Sequence, residues 1–412
     1  MSTNAVSRQR KPTLRKTAST VSSISTDSTD DCDLWTKARV QTMIQNANQG
    51  TPLTDEEVQD ICHSIQNLLP EDTSIDFEEL KQLLKSAAHL SHKNWGVTSE
   101  NSEKLSSVLS VSSMGNDSMD DDTLSPHAKQ LLERILNEGN WFGAVNEAPP
   151  INSPLRKPWA VLVTGVNGIR KTTSMYQPWF GQLLSESLCS PPDVDVTAKP
   201  KNLPTGSNSF FRQLDHMICT LTNEEFTKLY SWAASQLPTD DSIPSEQLVK
   251  DYSEYKAAIF SRYRTLSELL GGLLLREAQK VNINCLMETS GRDIAMFHYV
   301  DHFFESTKYN KLALHFTVND LDCAKQSVDR RMIQEIQDGV KAVKNGDVFD
   351  IIYANAGGPY GSQVLEGVQK DSDKVWETEV LSGNVGRDWY KATIAINAHP
   401  NKPWTAQAVK PD

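Results

Sequence analysis

The sequence lacks the features that mark several large classes of protein. No apolar run approaches the roughly 18 residues that span a bilayer, and no secretory signal core is recognisable. Acidic residues outnumber basic ones by 53 to 41, so the basic excess typical of nucleic-acid binding is missing. The six cysteines contain no C-x-x-C pair, which argues against a zinc or disulfide framework. We therefore expect a cytoplasmic protein with reduced thiols and neither a membrane nor a nucleic-acid partner.

The 412 residues are enough for two or three domains. A hydrophobic content of 38% and a mean hydropathy of −0.46 allow a packed core beside long polar segments. Composition along the chain predicts four parts: a disordered tail at 1–33, a helical region at 34–95, an acidic and Pro-rich linker with one short helix at 96–158, and an α/β domain at 159–412.

The first 33 residues are rich in Ser, Thr, Arg and Lys and contain no acid before Asp27. Such a segment cannot bury enough apolar surface to fold. Two interpretations remain open. Arg15 and Lys16 precede Thr17 and Ser19, as in a phosphorylatable tail, whereas a basic, Ser-rich and acid-poor start is also typical of an organelle transit peptide.

The helical region contains a helix start at Thr54, with Glu57 three residues later as the second half of a capping box. The segment 68–79 resembles the last half of an EF-hand loop, but it lacks the first ligands and the glycine of the sharp turn. We predict a degenerate EF-hand-like helix-loop-helix that binds no Ca²⁺; an ordinary helical hairpin is the alternative. This region is also a possible surface for a protein partner.

The α/β domain shows apolar runs separated by helical segments, of which 246–280 is the longest. The alternation predicts a doubly wound parallel sheet covered on both faces by helices. A last strand at 391–396 is expected to pair at an edge. The apolar runs taken as the other strands are 159–164, 283–288, 311–318 and 348–354.

The first of these runs leads into a glycine-rich turn followed by Lys171 and Thr172. A strand, a tight turn and a helix start form a phosphate-binding loop, whose backbone N–H groups surround phosphate while the Lys contacts it and the Thr holds Mg²⁺. Arg170 occupies the place of a glycine in the G-x-x-x-x-G-K-[ST] pattern. Its N–H can still serve if its φ is negative, with the side chain directed to solvent or to phosphate. The predicted nucleotide-binding residues are Gly165, Asn167, Gly168, Ile169, Arg170, Lys171, Thr172 and Thr173.

Three further segments carry candidate chemistry. Glu288 ends a buried strand and is predicted to hold Mg²⁺ together with Thr172, or else to cap the next helix; Arg292 then reaches substrate. Asp215 is the candidate proton acceptor for a substrate hydroxyl, with Arg212 as a substrate contact and Asp195 as the alternative acid. Arg330 and Arg331 are predicted either to fold over a transferring phosphate or to lie on a solvated helix face.

A glycine-rich loop at 353–361 follows an apolar run and is expected to border a nucleobase or to form a plain turn. Taken together, the order of these motifs over about 155–400 resembles P-loop small-molecule kinases of the zeta-toxin-like type. The resemblance implies ATP and Mg²⁺ as cofactors and an unidentified small-molecule acceptor. It also implies catalytic roles for Lys171, Asp215 or Asp195, and Arg330 or Arg331.

Two rival interpretations stay open. The loop is also similar to that of signal-recognition-particle GTPases, because Glu288–Arg292 follows their D-T-A-G-R pattern and Thr317–Asp320 faintly follows T-K-x-D. The spacing between these segments differs from that family, and Val318 replaces its Lys. The other rival is a nucleotide-binding scaffold without turnover, which the presence of Arg170 favours.

Overall fold

The protein is described by a computed structural model. The chain divides into the units Met1–Asp31 and Cys32–Asp412, and all residues discussed below lie in the second. The structure describes residues 37–68, 135–148, 157–192, 200, 202–239, 242–355, 357–399 and 402–409. The predicted tail at 1–33, the EF-hand-like loop at 68–79 beyond Leu68, most of the predicted linker, and Asp195 lie outside the described residues.

Six strands form one sheet, β1 Trp159–Thr164, β2 Ser209–Arg212, β3 Asn284–Glu288, β4 Asn310–Val318, β5 Tyr390–His399 and β6 Lys402–Val409. The helices before β3 are α1 Lys37–Gln49, α2 Asp55–Leu68, α3 Trp141–Asn146, α4 Lys171–Met175, α5 Phe180–Ser187, α6 Leu214–Leu221, α7 Asn223–Gln236 and α8 Glu246–Lys280. Those after β3 are α9 Ala295–Phe303, α10 Leu321–Asn345, α11 Val348–Ala354 and α12 Leu365–Val375. A 3₁₀ turn, Ser362–Val364, precedes α12, and a π-helical turn, Trp376–Leu381, follows it.

The strand order across the sheet is β2-β3-β1-β4-β5-β6. The first five strands run parallel, and only β6 pairs antiparallel, with β5. The chain builds β2 and β3 on one side of β1 and then crosses to build β4 and β5 on the other. The carboxyl end of β1 is therefore the point at which the strand order reverses, where open α/β sheets bind ligands. The predicted doubly wound α/β architecture is confirmed at this level.

The sheet separates two apolar cores, and the side chains of β1 alternate between them. Ala160 and Leu162 belong to the first core, whereas Trp159, Val161 and Val163 belong to the second. All six residues of β1 are buried. A strand buried on both faces explains why its sequence is an uninterrupted apolar run rather than an alternating one.

The N-terminal helices belong to the first core. The capping box predicted at the start of α2 is present: the Thr54 N–H donates to Glu57 Oε2 at 2.7 Å, and the Glu57 N–H donates to Thr54 Oγ1 at 3.2 Å. The apolar side of α1 and α2 is buried through Val40, Met43, Leu53, Val58, Ile61 and Ile65.

Ion pairs tie the same two helices to α7 and α8. Arg262 contacts Glu57 at 2.5 Å, Lys228 contacts Asp60 at 2.5 Å, and Arg39 contacts Glu225 at 3.0 Å. Arg262 is itself buried, so α2 supplies the carboxylate that compensates its charge. The packing therefore makes the described N-terminal helices part of the first core.

Four details of the secondary structure differ from the sequence prediction. The apolar run at 348–354 forms helix α11 rather than a strand, because Asp347 accepts a hydrogen bond from the Phe349 N–H as a helix cap. The strand predicted at 391–396 is β5, which lies inside the sheet rather than at its edge. Strands β2 and β6 were not predicted; β2 has four residues, and β6 is mostly exposed.

None of the helices that the structure describes is long and apolar enough to cross a bilayer.

Candidate functional site

The loop after β1 has the tight geometry that its glycines predict. Gly165 has φ +123° and Gly168 has φ +83°, conformations that side chains disfavour. A Cβ atom on Gly165 would lie 2.5 Å from the Phe316 carbonyl oxygen, and one on Gly168 would lie 2.7 Å from that of Ala324. The loop is thus pressed against β4 and α10, and no larger residue fits at either position.

Lys171 and Thr172 begin helix α4 directly after this loop. Lys171 is buried, and its Nζ donates to the carbonyl oxygens of Gly165 at 2.7 Å and Val166 at 2.8 Å. The same Nζ lies 3.1 Å from Glu288 Oε1, while Thr172 Oγ1 donates to Glu288 Oε2 at 3.0 Å. The sequence predicted that Glu288 approaches this loop; its alternative role as a helix cap is not what the hydrogen bonds show.

Arg170 adopts a conformation that the sequence argument did not expect. Its φ is +67° and its ψ is 27°, so the residue is left-handed, as a glycine in its place would be. The condition under which its N–H was expected to serve, a negative φ, is therefore not met. The guanidinium turns toward the indole of Trp404, with Cζ 5.6 Å from the ring centroid. Partial desolvation and, to a smaller extent, the neighbouring charge of Arg330 lower the pKa of Arg170.

A second acid faces the loop from the other side of β3. Asp215 lies in the first turn of α6, directly after β2. A methyl group added at Gly358 would lie 3.2 Å from Asp215 Oδ2 and 3.4 Å from Asn167 Nδ2. The loop after β1 and Asp215 therefore approach one another beside Gly358.

The charges around Asp215 come from three elements. Desolvation is the main cause that raises the pKa of this carboxyl, and Glu288 on β3 adds to it; Lys256 and Arg264 on α8 and Arg331 on α10 oppose it. Burial thus disfavours the carboxylate form of Asp215, and the three cations that face it compensate in part. A carboxyl group with a raised pKa in a cleft is a candidate for proton transfer.

Lys256 is a functional candidate that the sequence argument missed. It has 0% exposure, and its Nζ donates to Glu335 Oε1 at 2.6 Å, Asn355 Oδ1 at 2.8 Å and the Gly357 carbonyl oxygen at 2.6 Å. These bonds fasten the loop 355–361 to α8 and α10. A signal existed: Lys256 interrupts the apolar side of α8, one turn after Tyr252 and one turn before Ile259, where a charge must be paired.

The two adjacent arginines of α10 lie in different surroundings. The guanidinium of Arg331 packs against Gly357, since a Cβ there would lie 2.6 Å from Nη1. Its Nε and Nη2 are buried, and neither has a hydrogen-bond partner within the part of the chain that the structure describes. Arg330 is exposed, donates to the Gln326 carbonyl oxygen at 3.2 Å, and lines a cavity on the opposite side of the loop.

That cavity has a volume of about 190 Å³. It lies between the loop backbone at 168–170, the start of α10, the ends of β4 and β5, and the start of β6. Its polar and aromatic lining consists of Arg170, Cys323, Ser327, Arg330, His399, Lys402 and Trp404. The loop 353–361, which was expected near a nucleobase, instead follows helix α11 and lies beside Asp215, so its predicted place after a strand is wrong.

The remaining predicted site residues are more dispersed. Arg212 is buried, and its Nη1 donates to Glu268 Oε2 at 2.8 Å and to the Tyr299 hydroxyl at 3.0 Å, so an interior ion pair occupies the group expected to contact substrate. Arg292 is exposed in the turn after β3. Ile169 is buried in the second core, and Thr173 is exposed on α4.

Thr172 and Glu288 suit Mg²⁺ only when a bound ligand supplies further oxygen atoms. Within the described ranges, no three His, Cys, Asp or Glu side chains gather as a metal site. Thr172 and Glu288 nevertheless present two adjacent oxygens at the end of β1. Mg²⁺ commonly keeps several waters and takes one or two protein oxygens plus phosphate oxygens, so these residues fit a nucleotide-bound Mg²⁺.

Comparison with protein-family models and with curated proteins finds no match to this chain. The rival GTPase pattern also has local explanations. Asp320 caps α10 by accepting hydrogen bonds from the N–H groups of Asp322 and Cys323, and Asn319 pairs with the backbone of Ala398. Asn319 and Asp320, two residues of the T-K-x-D-like segment, thus stabilise the ends of a strand and of a helix.

Proposed function

We propose that this protein is a P-loop phosphotransferase that moves the γ-phosphoryl group of ATP to a hydroxyl group of a small molecule. The observation that carries the proposal is the shared point beside Gly358, which has the amide of Asn167 and the carboxylate of Asp215 within 3.4 Å. A phosphate-binding loop on one side and a proton acceptor on the other are what direct phosphoryl transfer to an alcohol requires.

On the nucleotide side, Lys171 supplies the positive charge next to the loop backbone. Lys171 contacts only loop carbonyl oxygens and Glu288 in this structure, and the β- and γ-phosphates offer its ammonium stronger, charge-assisted partners. Thr172 and Glu288 would hold the Mg²⁺ that accompanies the nucleotide. The metal, when bound, neutralises charge on the phosphate oxygens.

On the acceptor side, the oxygen of the substrate hydroxyl forms a bond to the γ-phosphorus. Asp215 accepts the proton of that hydroxyl. The bond between the γ-phosphorus and the bridging oxygen breaks, and ADP leaves. Arg331 lies beside Gly357, and its Nε and Nη2 atoms are buried. Neither atom has a hydrogen-bond partner among the described residues. A guanidinium in this place stabilises charge that develops on the transferring group, which lowers the barrier rather than strengthening ground-state binding.

The experiment uses Gly358→Ala, which places a methyl group at the shared point. We expect Mg·ATP affinity by calorimetry to stay within about twofold, while the rate of ATP turnover falls by roughly tenfold or more, equivalent to about 1.4 kcal/mol. Gly367→Ala is the matched control, because a methyl group there has no neighbour within 4 Å. A wild-type protein that binds no nucleotide, or a Gly358→Ala variant with wild-type turnover, would contradict the proposal.

A nucleotide-binding scaffold without turnover is the second candidate. The left-handed Arg170 favours it, because a side chain at this position changes the surroundings of the loop. The same calorimetry separates the two functions: a scaffold binds Mg·ATP, and its hydrolysis rate equals that of an Asp215→Asn variant.

A further inference from the structure

The cavity behind the phosphate-binding loop has a chemistry distinct from that of the Asp215 region. Arg170, Arg330 and Lys402 are cationic, His399 contributes an imidazole ring, and Trp404 contributes an indole ring. No Asp or Glu occurs among the residues that line it within the described part of the chain. Such a lining suits a ligand that combines a flat ring with hydrogen-bond acceptors.

Two neighbours surround the ring of Trp404. It makes a T-shaped contact with Trp179, with ring centroids 5.8 Å apart and an interplanar angle of 73°. The guanidinium of Arg170 covers the ring at 5.6 Å. Aromatic and guanidinium planes are the two groups on which nucleobases stack.

Position and size limit what the cavity can hold. Arg170 immediately precedes Lys171, so the cavity begins where the phosphate contacts end. Its volume of about 190 Å³ is below the roughly 300 Å³ of a pocket for a drug-sized ligand. It therefore accommodates one ring system and not a whole nucleotide, whose phosphates would remain on the loop.

We propose that the base of the bound nucleotide stacks on Trp404 in the place that Arg170 covers in the free protein, and that Arg170 thereby sets how strongly the base contributes to binding. This inference rests on the proposed function, because it takes the phosphate-binding loop as the anchor of the same ligand. It also gives a role to the residue that departs from the loop pattern: Arg170 competes with the base, which then depends on Arg330, His399 and Lys402 for its edge contacts.

The test compares Mg·ATP with Mg·tripolyphosphate, which carries the phosphates without a base. For the full-length wild-type chain, we expect calorimetry to show that Mg·ATP binds at least about tenfold more tightly than Mg·tripolyphosphate. In Trp404→Leu this preference should disappear while tripolyphosphate affinity stays within about twofold. Trp404→Phe keeps a stacking surface and should restore most of the preference. Arg170→Gly removes the competing group and should increase it.

The outcomes separate the inference from the proposed function. Binding of tripolyphosphate with no preference for ATP, or a preference that Trp404→Leu retains, overturns the base site but leaves the phosphate loop intact. A preference that falls in Arg170→Gly shows that Arg170 supports the base rather than competing with it, which also overturns the inference. Failure of both ligands to bind overturns the proposed function and the inference together. Circular dichroism melts of the variants identify any loss of fold.

Discussion

The two sides of the loop after β1 differ in their contacts as well as in their charge. On the Asp215 side, buried Lys256 joins α8, α10 and the loop 355–361 through three hydrogen bonds. On the Trp404 side, a cavity is bounded by the exposed strand β6 and by side chains that touch one another through ring contacts. If the protein acts as we propose, the buried network would preorganise the Asp215 side for the acceptor.

Among the described residues, the N-terminal helices α1 and α2 pack into the first core and not into the second. Their removal should have the largest effect on stability. Burial of six of the apolar residues of 37–68 contributes about 1.5–3 kcal/mol for each side chain, and buried Arg262 would lose its partner Glu57. We expect a fragment starting at residue 69 to lack a cooperative thermal transition, because the loss approaches the 5–15 kcal/mol stability of a whole domain. A cooperative fragment that binds Mg·ATP would show that the helices are dispensable.

The adjacent arginines of α10 test whether the two sides have separate roles. Arg331→Ala should lower phosphoryl transfer, measured in single turnover, on the order of 10³-fold or more, with Mg·ATP affinity nearly unchanged. Arg330→Ala is the matched control: the same substitution one residue away should leave the chemical step within a few fold and act on nucleotide affinity instead. Equal rate losses in the two variants would remove the distinction between the sides.

Removing one charged partner of the buried Lys256–Glu335 pair should lower the stability of the protein. Lys256→Met leaves Glu335 buried without its cation, and we expect a loss of about 3–5 kcal/mol in the free energy of unfolding, measured with urea. The double variant Lys256→Met with Glu335→Leu should recover much of that loss, because both charges are then absent. A single variant as stable as the wild type would mean that the network does not hold the loop 355–361.

The phosphate loop lies between the two sides and should show a smaller effect. Lys171→Ala removes a charge-assisted phosphate contact and should weaken Mg·ATP binding by at least roughly tenfold, about 1.4 kcal/mol. Calorimetry measures this directly, with Lys374→Ala on α12 as a lysine control remote from the loop. Unchanged affinity in a folded Lys171→Ala protein would rule out the loop as the phosphate site.

The smallest expected effect is a displacement of the pH profile. Because burial raises the pKa of Asp215, its carboxylate form, which alone accepts a proton, is lost on acidification at a higher pH than for an ordinary Asp. Lys256 opposes that shift, so Lys256→Met should move the acidic limb of the turnover profile further upward. Superimposable profiles, or an acidic limb that persists in Asp215→Asn, would show that another group titrates.

Local patterns predicted much of this architecture, and long-range packing accounts for the rest. The run 159–164 was readable as a strand because burial on both faces requires an uninterrupted apolar sequence. Glu288 was predictable as a partner of Thr172 since parallel strands end at a common edge. In contrast, 348–354 forms helix α11, of which only Ile351, Ile352 and Ala354 are buried, and a seven-residue apolar run does not distinguish a short helix from a strand.

The candidate site divides in the same way. Lys171 and Asp215 could be proposed from motif and position, but the approach of Asn167 to Asp215 depends on Gly358, more than 140 residues away from either. The contact of Arg170 with Trp404 could not be predicted, because Trp404 lies on a strand that short-range patterns did not reveal. Lys256 was overlooked because its partners, Glu335 and Gly357, are distant in sequence.

Helix α10 gives these observations a mechanical consequence. Its 25 residues make a rod of about 37 Å, anchored in the second core through Ala324 and Val328 and in the first through Met332 and Ile336. Arg330 and Arg331 are consecutive on this rod. Because both arginines stand on one helix, any tilt of α10 caused by a ligand in the cavity would also move the guanidinium of Arg331 beside Gly357.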